Sequence, residues 1–261
     1  MWLIYVEFYV IMNKKRVRYK FIMLIKIIPI IISGVAFVLS VLSFCYNKNK
    51  GKVEKAIELA NVYRELIKDI SEFSKIFEEH GEIQGLLTKG KLDEETKFNY
   101  GEISSIYSKQ EIHKLENFFF GDGMNPDILR SVYFTYRLQN ISDINPILLN
   151  LSENPDEQQS AVQDSLIRSY YQSKFSSFLN KLEFFSMAFV QNVADDDVVY
   201  QSLHQTFLGI TRYFYYLISR NNNSLENKYY TNIIQLHSRW ISKQKQYKSK
   251  ADNVIKHRRK C

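Results

Sequence analysis

Twenty consecutive residues, Ile27 to Tyr46 (IIPIIISGVAFVLSVLSFCY), hold no ionisable group other than the Cys45 thiol and the Tyr46 phenol. As a helix rising about 1.5 Å per residue, this stretch reaches roughly 30 Å, the thickness of a bilayer's hydrocarbon core. Twelve of the twenty are Ile, Val, Leu or Phe. Each favours insertion by about 0.3–0.6 kcal/mol, or roughly 4–7 kcal/mol together, against Pro29, Gly34 and three serines. The spacing predicts one N-terminal transmembrane helix over 27–46. The roughly 200 residues that follow are enough for one domain with its own core. The predicted layout is a short apolar and basic segment (1–26), the membrane helix (27–46), a helical domain (47–242) and a basic tail (243–261).

The formal net charge of +7 hides a strong segregation. Residues 1–55 hold ten Lys/Arg against two acids, and 243–261 hold eight against one. The body between, 56–242, has 17 basic and 25 acidic residues. Basic segments beside a membrane helix are drawn to anionic headgroups at about 1 kcal/mol per charge. The tail, KQKQYKSKADNVIKHRRKC, could meet phosphates of lipid or of nucleic acid. With Tyr247 its only aromatic, a surface that stacks single-stranded bases is not supported, and membrane lipid is the simpler partner. The positive charges flanking 27–46 are nearly balanced, six before and four after, so they do not decide orientation. Two cysteines, Cys45 and Cys261, make no disulfide framework and favour a reducing compartment. A cytoplasmic body behind a retained anchor is expected. Two other readings of the start remain open. One is translation from Met12. The other is a lipoprotein-type box at Leu42–Cys45, where Phe44 stands in place of a small residue.

Only nine glycines and four prolines interrupt the rest, and the long segments carry helical spacing, so an all-α body is expected. Over Gly51–His80, Ala56, Leu59, Tyr63, Leu66, Ile70, Phe73 and Phe77 recur in steps of three and four, with Ile57, Ile67 and Ile76 widening the stripe. Such a seam serves either the core of its own bundle or a self-associating coiled coil. Gly81 is expected to stop that helix. Residues 85–100 read as loop or weak helix. Ser108 with Glu111 forms a capping box opening a helix to Phe120, which Gly121-Asp-Gly123 ends. Asn125-Pro126, Asn145-Pro146 and Asn154-Pro155 each place an N-cap before a proline at the first helical position. The last of these opens a long helix, 155–193, with a densely apolar end. Asp195 to Asp197 cap a helix over 196–220, with Val198, Val199, Leu203, Phe207, Leu208, Ile210, Phe214 and Leu217 inward. A final helix runs from about Leu225 with Tyr229, Ile233, Leu236 and Trp240 inward.

Chemistry leaves little trace. None of the five histidines is paired at helical spacing with another, and there is no phosphate-cradling glycine loop and no Gly-x-Ser-x-Gly. No catalytic residue, metal ligand or cofactor is therefore assigned. Glu183 stands among apolar neighbours in LNKLEFFSMAF and, if buried, must find a donor or take up a proton. Arg212, Arg239 or a tyrosine hydroxyl could supply one. Should their helices pack together, Glu183, His204 and His237 would converge into a site at the membrane face.

The segments KAIELANVYRELIKDI (55–70), NKLEFFSMAF (180–189), DDDVVYQSLHQTFL (195–208) and KYYTNIIQLHSRW (228–240) resemble a bacterial family known as domain of unknown function 4760. The resemblance covers roughly residues 53–242. It implies one membrane helix ahead of a cytoplasmic helical domain and brings no activity with it. The matching positions, Glu183, Tyr200, His204, Tyr230 and Trp240, are expected to be structural. Together these readings describe a membrane-anchored helical module, self-associating or holding a protein partner, that scaffolds or acts on membranes. A membrane-associated enzyme and a nucleic-acid sensor using the tail are the alternatives.

Overall fold

The computed structural model describes the backbone of residues 2–90, 92–93, 95–137, 157–223 and 228–258, and side chains within 37–136, 160–223 and 228–251. Every regular element among the described residues is helical: α1 (Trp2–Glu79), α2 (Gly81–Leu87), α3 (Tyr100–Ile106), α4 (Lys109–Phe120), α5 (Pro126–Arg137), α6 (Glu157–Val190), α7 (Asp196–Tyr213), α8 (Tyr215–Asn221) and α9 (Thr231–Arg258). The chain divides into two compact units, Met1–Lys52 and Val53–Cys261.

In the first unit the backbone is helical throughout its described residues, and every side chain from Phe37 to Tyr46 is exposed. Among the described residues no helix is long and apolar enough to cross a membrane. Positions 27–36 of the apolar stretch lie outside the residues whose side chains are described.

The second unit is built on aromatic packing. Ala56, Leu59, Tyr63, Leu66, Phe73 and Phe77 of α1 are buried, with Ile70 packed at the margin, so this seam is filled from within the same chain. Ile57 and Ile67 are exposed rather than inward. Each is one residue past a seam position, and about 100° of helical turn swings it off the buried face. The Phe73 ring lies 4.7 Å from Phe175, 5.4 Å from Phe178 and 5.8 Å from Phe214. A second cluster joins Tyr63 to Phe185 at 4.8 Å and Phe207 to Trp240 at 5.0 Å. Helix α6 runs against both α5 and α9, α9 also packs on α7, and α3 holds α8 and α4.

Local signals account for most helix ends. The Ser108–Glu111 capping box forms, and Gly121 ends α4. Gly123 is required by space, because a Cβ there would stand 2.9 Å from the Asn117 carbonyl carbon. Asn125 Oδ1 accepts from Asp127 N at 2.9 Å, with Pro126 opening α5. The other two Asn-Pro starts lie outside the described residues. Three boundaries differ from the sequence reading. Helix α1 ends at Glu79, just before Gly81 as expected, but Gly81 also opens a further helix, α2, after the break at His80. The helix expected over 196–220 is two, α7 and α8, parted at Phe214. That break lets the Phe214 ring enter the aromatic core, 5.0 Å from Phe178. The last helix starts at Thr231, and Tyr229 is exposed rather than inward.

The loop before α3 is held by side chains reaching back to its backbone. Glu102 accepts from the amides of Lys97 and Phe98 and from the Tyr215 hydroxyl. Asn222 donates to the Phe98 carbonyl at 3.0 Å and accepts from Tyr229 N. Phe98 adopts a left-handed φ of 49° and is fully buried. Strain of this kind persists only where its surroundings over-determine it.

Because Phe73 joins two rings of α6 and the Phe214 ring at the α7–α8 break, Phe73→Ala is expected to destabilise the domain by about 3–5 kcal/mol. Urea unfolding followed through Trp240 fluorescence measures it. A loss under about 1 kcal/mol would mean the cluster is not the core.

Candidate functional site

Glu183 lies near the middle of the C-terminal half of α6. One of its oxygens, Oε1, accepts from Asn232 N at 3.0 Å and Asn232 Nδ2 at 2.7 Å, and Oε2 accepts from Ile233 N at 2.9 Å. The donors are the opening turn of α9, not the Arg212, Arg239 or tyrosine that the sequence offered. Arg239 instead donates to the Phe189 carbonyl at 3.1 Å. The reason is local. The first N–H groups of a helix have no intrahelical acceptor, and the residue before Thr231 is Tyr230, which lacks the short oxygen-bearing side chain of a usual N-cap. Tyr230 turns the chain with a left-handed φ of 58°. A carboxylate from a neighbouring helix then does what a local cap would, and the positive end of the helix dipole favours its charge.

The other two candidates sit elsewhere. His204 Nδ1 donates to the Tyr200 carbonyl at 2.7 Å in its own helix, and its ring stacks on Tyr200 at 4.4 Å. His237 is 1% exposed, with its ring edge-on to Phe98 at 5.1 Å. Burial pushes its pKa down to about 4; Asp93 opposes this and Arg212 adds to it. A histidine so sealed is neutral at pH 7 and cannot exchange protons with a substrate in solution. Glu183, His204 and His237 thus each engage a different partner: the opening turn of α9, the Tyr200 carbonyl and ring, and the Phe98 ring. No group of three or more potential metal ligands occurs among the described residues.

The Asp195–Asp197 run acts as the N-terminus of α7. Asp195 Oδ1 accepts from Asp197 N at 3.0 Å, Trp240 Nε1 donates to Asp196 Oδ2 at 3.0 Å, and Lys243 pairs with Asp197. Tyr200 donates its hydroxyl to the Trp240 carbonyl at 3.5 Å. Glu183, Tyr200, Tyr230 and Trp240, four of the five resemblance positions, therefore all act on α9.

The sequence reading missed a groove of about 610 Å³ between α1, α5 and α6, walled in part by Tyr136, Tyr170 and Phe184. Its floor is a charged network. Glu72 is 5% exposed, accepts from the Tyr171 hydroxyl at 2.7 Å, and pairs with Lys174. Lys174 also reaches Asp69 at 3.4 Å, and Lys181 reaches Asp69 at 3.6 Å. Burial works against the Lys174 charge, but Glu72, Tyr170 and Asp69 outweigh it and hold its pKa above the usual lysine range. Acids three apart on α1 and lysines seven apart on α6 were visible in the sequence, but their meeting was not. The lining carries three acids and three lysines. With its charges answering one another, the groove ties α1 to α6 and selects no ligand of one sign.

The depressed pKa of His237 sets a pH dependence. The unfolded chain takes up a proton near the ordinary value of 6.5, and the folded chain refuses it until about 4. Stability is therefore undiminished by this group above 6.5 and falls progressively between 6.5 and 4, by about 3 kcal/mol in total. Urea midpoints of the wild type and of His237→Phe over that range measure it. The substitution is expected to flatten the slope, and an unchanged slope would contradict the assignment.

Comparison with curated proteins and with solved structures returns no match. A family model matches residues 130–240, from α5 through Trp240 in α9. The match is narrower than the resemblance over 53–242, and the α1 segment 55–70 falls before it. Residues 130–240, which hold Glu183, Tyr200, His204, Tyr230 and Trp240, match the model of the family described as Domain of unknown function (DUF4760).

Proposed function

We propose that this chain is a single-pass, membrane-anchored helical interaction module whose body faces the cytoplasm. Its partner would be a protein, a second copy included, and its use would be as a scaffold or a membrane-acting effector. One observation carries the reading. Between Phe37 and Tyr46, large apolar side chains are exposed on every side of the helix, with Phe37 at 70% and Phe44 at 69%. A helix apolar all round needs either a protein core or lipid around it. These residues continue directly from the apolar run that begins at Ile27, and lysines follow from Lys48. Basic flanks of this kind anchor a membrane helix at its interface.

The body supports a binding role over a catalytic one. Its best candidate acid and bases are separately engaged in the fold, and its groove is internally neutralised. The α1 seam that could have served self-association is spent on the chain's own core, so any second copy would meet a different face.

Carbonate-washed membranes test the anchor. The full chain is expected to stay in the pellet and float with lipid. Leu39→Arg combined with Leu42→Arg costs about 5–7 kcal/mol of insertion, which offsets the roughly 4–7 kcal/mol available, and should release the protein. Wild-type protein recovered in the detergent-free supernatant would overturn the reading.

A further inference from the structure

The groove between α1 and α6 is bordered by apolar side chains left in water. Phe184 is 64% exposed and Val62 is 47% exposed, and both line it. Met187, one turn past Phe184, is exposed as well. The rest of this dense apolar stretch faces the core, with Phe178, Leu182, Phe185 and Phe189 buried. The two helices also carry opposite signs along the groove. At about 100° per residue, Val62, Glu65, Asp69 and Glu72 fall within a stripe of about 80° on α1. Lys174, Ser177, Lys181 and Phe184 fall within a stripe of about 80° on α6. The α1 edge is therefore acidic and the α6 edge basic. Lys68 flanks the α1 stripe and pairs with Glu65 at 2.7 Å, but both side chains are exposed and such a pair contributes little. Lys181 reaches its own Asp69 only at 3.6 Å. The helices run antiparallel, since Tyr63 lies against Phe185 and Phe73 against Phe175. Glu65 and Lys181 accordingly stand within one turn of the same level.

We infer that a second copy of the chain docks on this groove, with α1 of each copy lying over α6 of the other about a two-fold axis parallel to the helices. This rests on the reading of the chain as an interaction module, and names its partner. The rotation brings acidic edge to basic edge in both halves of the contact, so that Glu65 of one copy meets Lys181 of the other, twice. It sets each Phe184 ring over the other copy's Val62 and groove, where a central aromatic anchor contributes most. A face carrying acids on one side and lysines on the other is answered by its own rotated image. A partner charged with one sign is repelled at one of the two edges. The same axis keeps α1 of both copies running in one direction, as two chains held in one membrane require. The Glu72–Lys174 pair stays within its own chain as the floor of the contact.

The test follows the full chain in mild detergent by sedimentation velocity and by co-capture of two differently tagged copies. A dimer is expected at micromolar protein. Phe184→Asp should weaken it at least about a hundredfold, because an aromatic anchor is lost from both copies. Glu65→Lys and Lys181→Glu, each alone, set like charges together in both halves of the contact and should weaken it about tenfold. Mixed one to one, the two variants meet through one native and one reversed pair, so a dimer holding one copy of each should form at near wild-type strength. That recovery also shows that both variants fold. A wild-type chain that sediments as a monomer would overturn the inference. So would a dimer that Phe184→Asp leaves unchanged, or losses that mixing does not restore. Either of these would move self-association to another face and leave the interaction-module reading standing. A different protein held in fixed ratio by a monomeric chain, and lost on Phe184→Asp, would displace the second copy as the occupant. Carbonate-washed membranes report the anchor independently.

Discussion

The Glu183 carboxylate accepts three N–H groups at the start of α9 from a position in the middle of the C-terminal half of α6. Hydrogen bonds to a charged group contribute about 1.5–3 kcal/mol, and a part-buried carboxylate left without them costs at least as much. The bond set fixes where α9 begins and which way it leaves the chain reversal at Tyr230. From that origin Ile233, Leu236 and Trp240 follow at helical spacing along one buried face. Trp240 is then met by Asp196 from α7 and by the Tyr200 hydroxyl. The matched family segment therefore sets the N-terminal part of one helix, Thr231 to Trp240. Along that helix the side chains from Gln244 to Ala251 are exposed, Lys248 and Lys250 among them.

Two kinds of force hold α1 to α6, and their magnitudes separate their roles. The Glu72–Lys174 pair sits against Tyr171 and Asp69, where desolvation consumes most of the Coulombic gain. Its net contribution is small, while loss of one partner would strand a buried charge. The rings of Phe73, Phe175, Phe178 and Phe214 bury large apolar surfaces, with about 0.5–1.5 kcal/mol more for each well-placed ring pair. Aromatic packing supplies the stability. The ion pair specifies which turn of α1 meets which turn of α6.

Much of the fold was legible because its determinants are local. The α1 seam, the Ser108 capping box, the Asn125-Pro126 start and the Asp195 cap each depend on residues within a few positions of one another, and each forms. What stayed hidden depends on residues far apart in sequence. The cap on α9 comes from a glutamate about fifty residues upstream, so a search for Ser, Thr, Asp or Asn beside the helix start looks in the wrong place and puts that start too early. The break at Phe214 is set by the pocket its ring fills, not by a glycine or proline. For the same reason the lone Glu183 could be flagged as needing a donor, while the donor itself could not be named. His204 and His237 were plausible together only as letters; one stacks on a tyrosine of its own helix and the other is sealed against Phe98.

Amide hydrogen exchange at Asn232 and Ile233 tests the central role of Glu183 most directly. In an ordinary helix these positions belong to the fraying first turn and exchange quickly. Their bonds to a carboxylate rooted in α6 predict exchange as slow as that of Leu236 and Trp240, lost on Glu183→Ala. Fast exchange at both amides in the unmutated chain, or slow exchange that survives Glu183→Ala, would contradict it.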